Sequence, residues 1–68
     1  MKTYTLKELR NKKQETQQKT AKAIDINRAL YSHYENGRRV PRIDVAKKIA
    51  EHFGVKVDQI RFINKNKK

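Results

Sequence analysis

The segment from Glu15 to Pro41 constrains this chain more than any other. It carries two short helical patterns, Gln17–Ile24 and Arg28–Asn36, joined only by Asp25-Ile26-Asn27. Directly in front of each pattern stands a residue, Thr16 or Asn27, whose side-chain oxygen can accept from a free first-turn N–H. A connection of three residues forces the second helix to cross the first steeply and to project from the surface.

That arrangement is a helix-turn-helix, whose second helix can enter a DNA major groove. Sixty-eight residues allow one domain with a marginal core, so each apolar residue matters and self-association could add stability. The net charge of +11 comes from 18 Lys and Arg against 7 Asp and Glu, a balance that favours a polyanionic partner. A lysine-rich surface gives the same count, so it is charge and motif together that point to nucleic acid. With no cysteine there is neither a disulfide nor a thiolate metal site, and His33 and His52 lie in different helical patterns with no metal set around them. No apolar run approaches the roughly 20 residues of a membrane span, and no signal-peptide pattern opens the chain. The expectation is a soluble cytoplasmic protein with no membrane partner. No nucleophile–base arrangement, carboxylate pair, glycine-rich phosphate loop or metal set is present, which argues against an enzyme and against a cofactor.

Along the chain, Leu6–Lys13 predicts a first helix, with Leu6 and Leu9 on one face and Thr5 and Glu8 spaced as a capping box. Polar Asn11–Gln14 ends it. Gly37 directly follows the third pattern and can take positive φ cheaply, so it reads as a stop. Val40-Pro41 predicts extended chain. Arg42–Phe53 predicts the longest helix, with Ile43, Ala46, Ile49, Ala50 and Phe53 on one stripe and Gly54 ending it. Val57–Phe62 predicts a short fifth helix with Val57 and Ile60 facing inward and Asp58 in its first turn. Tyr34, Phe53 and Phe62 fall at core-like spacings, whereas Tyr4 has no place in this pattern. The expected architecture is all-α, a compact five-helix DNA-binding domain over residues 1–63, followed by a disordered basic tail over 64–68.

These residues resemble the Cro/repressor-type, or Xre, helix-turn-helix family, whose fold is lambda-repressor-like. The resemblance runs from about residue 4 to 62. It is carried by Leu6-Lys7-Glu8-Leu9-Arg10, by Thr16-Gln17 with Ala21 four residues on, and by Tyr34-Glu35-Asn36-Gly37 with Pro41. Ala46, Ile49-Ala50, Phe53-Gly54-Val55 and Val57-Asp58-Gln59-Ile60 complete it. The chain departs from the family pattern at Thr20, where leucine is usual, and at Asp25, where glycine is common. Tyr31 replaces a smaller aliphatic and Arg61 a large apolar residue. A hydroxyl at position 20 weakens packing unless it bonds back to a carbonyl of the preceding turn, and Tyr31 is positioned to fill the missing volume. Aspartate tolerates the left-handed φ of a turn better than most residues.

The exposed start of the third pattern supplies the candidate base contacts Asn27, Arg28 and Ala29, with Ser32 and His33 one turn on. Arginine's planar fork matches guanine O6 and N7, and an alanine methyl suits thymine. Asn27 is divided between capping and contact, and His33 is either a donor to DNA or a solvated histidine. Candidate phosphate contacts are Gln17, at the amide-rich start of the second pattern, and Asn36, Arg38 and Arg39 beyond the third. Lys19, Lys22, Lys47, Lys48 and Arg42 are weaker candidates, because a lysine run is usually a solvated face. The resemblance also implies a phosphate-contacting glutamine at Gln17 and a structural ion pair between Arg10 and Glu35. Phe53, Ile60, Phe62 and Ile63 are the candidate dimer contacts.

The expected function is a sequence-specific, double-stranded-DNA-binding transcriptional regulator, a repressor, acting as a homodimer on a pseudo-palindromic operator with no small-molecule effector. The alternatives are a protein-interaction module of antitoxin or antirepressor type and a non-specific nucleic-acid binder.

Overall fold

The computed structural model describes residues 2–62. Four helices follow in order: α1 Leu6–Lys12, α2 Gln17–Ala23, α3 Arg28–Asn36 and α4 Ile43–Phe53. A 3₁₀ turn, Val57–Gln59, comes last. The N-terminal ends are set by local chemistry. At α1, Thr5 Oγ1 accepts from the Glu8 amide (3.2 Å) while the Glu8 carboxylate accepts from the Thr5 amide (2.8 Å), a closed capping box. Thr16 caps α2 through the Lys19 amide (3.1 Å), and Asn27 caps α3 through the Leu30 amide (2.7 Å). Arg42 precedes α4 without a side-chain cap.

The C-terminal ends are set by left-handed residues. Gly37 (φ 80°) closes α3 and Gly54 (φ 70°) closes α4. Asp25 takes φ 64° in the turn between α2 and α3, as its tolerance for that region allows. Gln14 takes φ 58° after α1, a conformation that an L side chain adopts at a cost.

The core joins Leu6 and Leu9 of α1, Ala21 and Ile24 around α2, Tyr31 and Tyr34 of α3, and Ile49 and Ala50 of α4. Ile60 closes it. Tyr31, Ile49 and Thr20 are the largest fully buried side chains. Phe53, Val57 and Phe62 are half-buried and packed against this cluster.

Three sequence expectations change here. The fifth helix is only a 3₁₀ turn, because Ile60 leaves it extended (φ −99°, ψ 125°) and pairs with Tyr4 in a parallel bridge. The Tyr4 amide donates to the Gln59 carbonyl (2.8 Å) and the Arg61 amide to the Tyr4 carbonyl (2.7 Å). These bonds take the backbone groups that a continuing helix would need. They also give Tyr4 its place, with the Lys2 and Lys12 amines each 5.5 Å from its ring centroid. Second, Ile43 leaves the core stripe: as the first residue of α4 it is 64% exposed. Third, Ile60 is 6% exposed and committed to the protomer's own core, so it is not available as a dimer contact. Ile63 and the tail 64–68 lie outside the described residues.

Candidate nucleic-acid interface

Helical geometry divides α3 into two faces. At about 100° per residue, Arg28, Ala29, Ser32, His33 and Asn36 fall within about 140° of arc, and Leu30, Tyr31, Tyr34 and Glu35 fall in the remaining arc, Glu35 at its edge about 20° from Arg28. Burial follows this division. Arg28, Ala29 and Asn36 are exposed and Ser32 and His33 half-buried, whereas Tyr31 and Tyr34 are buried. The outward face therefore carries one guanidinium, two amides counting the Asn27 cap, a hydroxyl, an imidazole and a methyl. This is a donor-rich set suited to base edges and phosphates.

Three of these side chains already have internal bonds. Asn27 Oδ1 holds the Leu30 amide, which leaves its NH₂ group as the part able to reach outward. Asn36 Nδ2 donates to Ser32 Oγ (3.3 Å), one turn earlier on the same face. The loop beyond α3 is pinned to it, since the Arg38 and Arg39 amides both donate to the His33 carbonyl (2.9 and 3.3 Å). Arg38 and Arg39 thus stay beside the outward face, and both are exposed.

The inner face rests on a polar cluster. Arg10 Nε donates to Glu35 Oε2 (2.6 Å), and Arg10 Nη2 approaches Glu35 Oε1 (3.4 Å). The paired side chains are 15% and 4% exposed. Burial disfavours the charge on Glu35, but hydrogen bonds from Arg10 and Gln17 outweigh it and hold the carboxyl below its ordinary value. The same hydrogen bond raises Arg10 above its usual range against the opposing effect of burial. The Tyr31 hydroxyl is buried with no hydrogen-bond partner among the described residues. Burial first, and then the nearby Glu35 charge, push the phenol far above the normal tyrosine range.

The Gln17 side-chain amide donates to Glu35 Oε1 (3.2 Å) and so braces α3 against the start of α2. Thr20 departs from expectation: its hydroxyl donates to Glu15 Oε1 (2.7 Å), not to a carbonyl of the preceding turn. The same Glu15 oxygen lies 2.7 Å from His52 Nε2, and Lys13 Nζ is 3.8 Å from Glu15 Oε2. Lys13 also donates to the His52 carbonyl (3.0 Å). Burial opposes the Glu15 charge, yet hydrogen bonds from His52 and Thr20 and the charge of Lys13 leave its pKa lowered. Arg10 joins the two carboxylate centres, because its Nη1 donates to the Glu15 carbonyl (2.8 Å). Glu15 and His52 were not singled out as partners in the sequence. The available signal was a polar residue, Thr20, where an apolar one is expected, since a buried hydroxyl requires a partner nearby.

No helix among the described residues is long and apolar enough to cross a membrane. The helix-turn-helix family matches residues 6–60, the whole frame from α1 to the Tyr4–Ile60 bridge. The chain is also 49% identical over 49 residues to the uncharacterized HTH-type transcriptional regulator YqaF of Bacillus subtilis (strain 168). That match takes in 72% of this chain and spans 64% of the length of the relative. No solved structure is a significant match. With the family's frame matched over most of its length and the capped α2-turn-α3 unit in place, the chain belongs to the Xre-type helix-turn-helix family.

Proposed function

We propose that this protein is a transcriptional repressor that binds double-stranded DNA sequence-specifically, as a homodimer on a pseudo-palindromic operator, by laying α3 in the major groove. The observation that carries the reading is the outward face of α3. Asn27, Arg28, Ala29, Ser32 and His33 stand together there, while Glu35, at the edge of the inner arc, is locked to Arg10 and Gln17. A recognition helix needs this combination of a free reading face and a fixed back, because base readout demands precise placement. Arg28 takes guanine O6 and N7, and Arg38, Arg39 and Asn36 grip the phosphates beside it. A single helix reads only a few base pairs, so two copies on symmetric half-sites supply the remaining specificity. Family membership, together with the printed name of the Bacillus relative as a transcriptional regulator, supports the regulatory role.

The experiment is a comparison of two variants on a preferred duplex and on its base-substituted forms. Arg28→Ala should lose about 1–3 kcal/mol on the preferred site and become indifferent at one symmetric position. Arg39→Ala should weaken binding to all duplexes alike and lower the salt slope by about 1. Equal losses on every sequence for Arg28→Ala would demote Arg28 to a phosphate ligand and leave a non-specific binder.

A further inference from the structure

Arg10 and Lys12 stand two residues apart on α1 and so point to nearly opposite sides of it, about 200° apart. Arg10 turns to Glu35 of α3. Lys12 therefore turns away from α3, and its amine lies 5.5 Å from the Tyr4 ring centroid. The Lys2 amine, from the N-terminal lead-in, lies 5.5 Å from the same ring. The Tyr4–Ile60 bridge brings in a third cation, because the Arg61 amide donates to the Tyr4 carbonyl. All three cationic residues are exposed, and Tyr4 is half-buried.

The charge of this surface is unbalanced. Among the described residues, none of Lys2, Lys12 and Arg61 makes an ion pair. The one carboxylate among them, Glu8, is committed to capping α1. Hydrogen bonds from Thr5 first, and then the charges of Arg61 and Lys2, hold its pKa below the ordinary value. Three cations against one carboxylate leave the surface net positive. With two ammonium groups already beside it, the Tyr4 ring supports cations and is not free to stack on a base. Glu8 is also fixed in place by its cap. A duplex carries one charge per about 1.7 Å of its axis, so its unbroken row of phosphates is repelled where it crosses Glu8. The carboxylates of a peptide come singly and can settle on the cations around Glu8.

We infer that Lys2, Lys12 and Arg61, gathered around Tyr4, form a second binding surface, taken by an acidic peptide segment of a partner protein. It lies on the side of α1 turned from α3, so the protein holds DNA through α3 and a partner through α1 at the same time. Only that simultaneous occupancy rests on the DNA-binding reading; the peptide surface stands without it. A local role for Lys12 also exists, because a cation in the last turn of α1 favours the helix dipole. That role would alter thermal stability and leave peptide binding untouched.

The probe is a fluorescein-labelled poly-L-glutamate peptide, titrated with the full chain and followed by anisotropy, with melting curves alongside. Lys2→Gln combined with Lys12→Gln should weaken the probe about tenfold, as the loss of two exposed ion pairs near the upper end of their strength implies. Lys47→Gln combined with Lys48→Gln removes the same charge from exposed positions on α4 and should change the affinity less than about twofold, because screening confines the effect of distant charges. Glu8→Gln keeps the capping box, since glutamine also accepts from the Thr5 amide, and should tighten the probe. A saturating amount of the duplex preferred by the wild type should not displace the probe. Equal weakening by the α4 pair, or displacement of the probe by that duplex, overturns the proposal. So does a Lys2/Lys12 variant that keeps its affinity for the probe and loses affinity for an unrelated duplex, which would make this a nucleic-acid surface. If the wild type binds no duplex, the reading of α3 fails, while the peptide titration still decides this surface.

Discussion

At the scale of single residues, the protein combines a reading face with a tightly bonded underside. Arg10 contributes three of its nitrogens to this, two toward Glu35 and one to the Glu15 carbonyl. Because both side chains of the pair are largely buried, removing one strands the other's charge. Arg10→Ala should therefore destabilise the domain by about 3–5 kcal/mol, read as a shift in the urea midpoint. For so small a domain that approaches its whole stability. A loss below about 1 kcal/mol would mean that water already solvates the Glu35 carboxylate. The pair was legible in the sequence only through the family resemblance. Spacing alone places Arg10 and Glu35 on separate helices and says nothing of their meeting. The Glu15 cluster was not legible, because Lys13 and Thr20 lie close to Glu15 in the chain but His52, which closes the cluster, lies 37 residues away on α4.

At the scale of elements, the caps and stops were the most readable features. Thr5, Thr16 and Asn27 cap as local hydrogen-bonding chemistry dictates, and Gly37 and Gly54 end their helices with positive φ. The segment Val57–Ile60 differs from its sequence pattern for a physical reason. Val57 and Ile60 have a spacing compatible with a helix, but the competing interaction is with Tyr4, more than fifty residues away, and no local pattern reveals it. Ile43 was misread because an apolar residue in the first turn fits the α4 stripe by period while lying beyond the core's edge. Gln14 leads to a prediction at this scale. Its φ of 58° strains an L side chain after α1, and glycine relieves that strain while losing more backbone entropy. Gln14→Gly should stabilise the domain by up to about 1 kcal/mol, seen as a higher melting temperature. A fall in melting temperature would show that the backbone entropy lost by glycine outweighs the relieved strain.

At the scale of the whole molecule, two buried carboxylates tie helices to one another, Glu35 through α1, α2 and α3, and Glu15 through α2 and α4. Both have lowered pKa values in the folded state. A carboxylate whose folded pKa is depressed contributes stability at pH above its unfolded value of about 4.3. That contribution is lost as pH falls through the lower folded value. Stability should thus drop steeply below about pH 4, and the drop should become shallower in Glu15→Gln. An unchanged acid limb in that variant would remove Glu15 from the account. The central claim, however, is that the exposed face of α3 reads a symmetric DNA site. The most direct test is selection of bound sequences from a random double-stranded library at near-physiological salt. The account predicts a two-fold symmetric motif with half-sites centred about one helical turn, or a multiple of it, apart. Retention of DNA without any enriched motif, lost steeply as salt rises, would contradict it and leave a binder driven by charge.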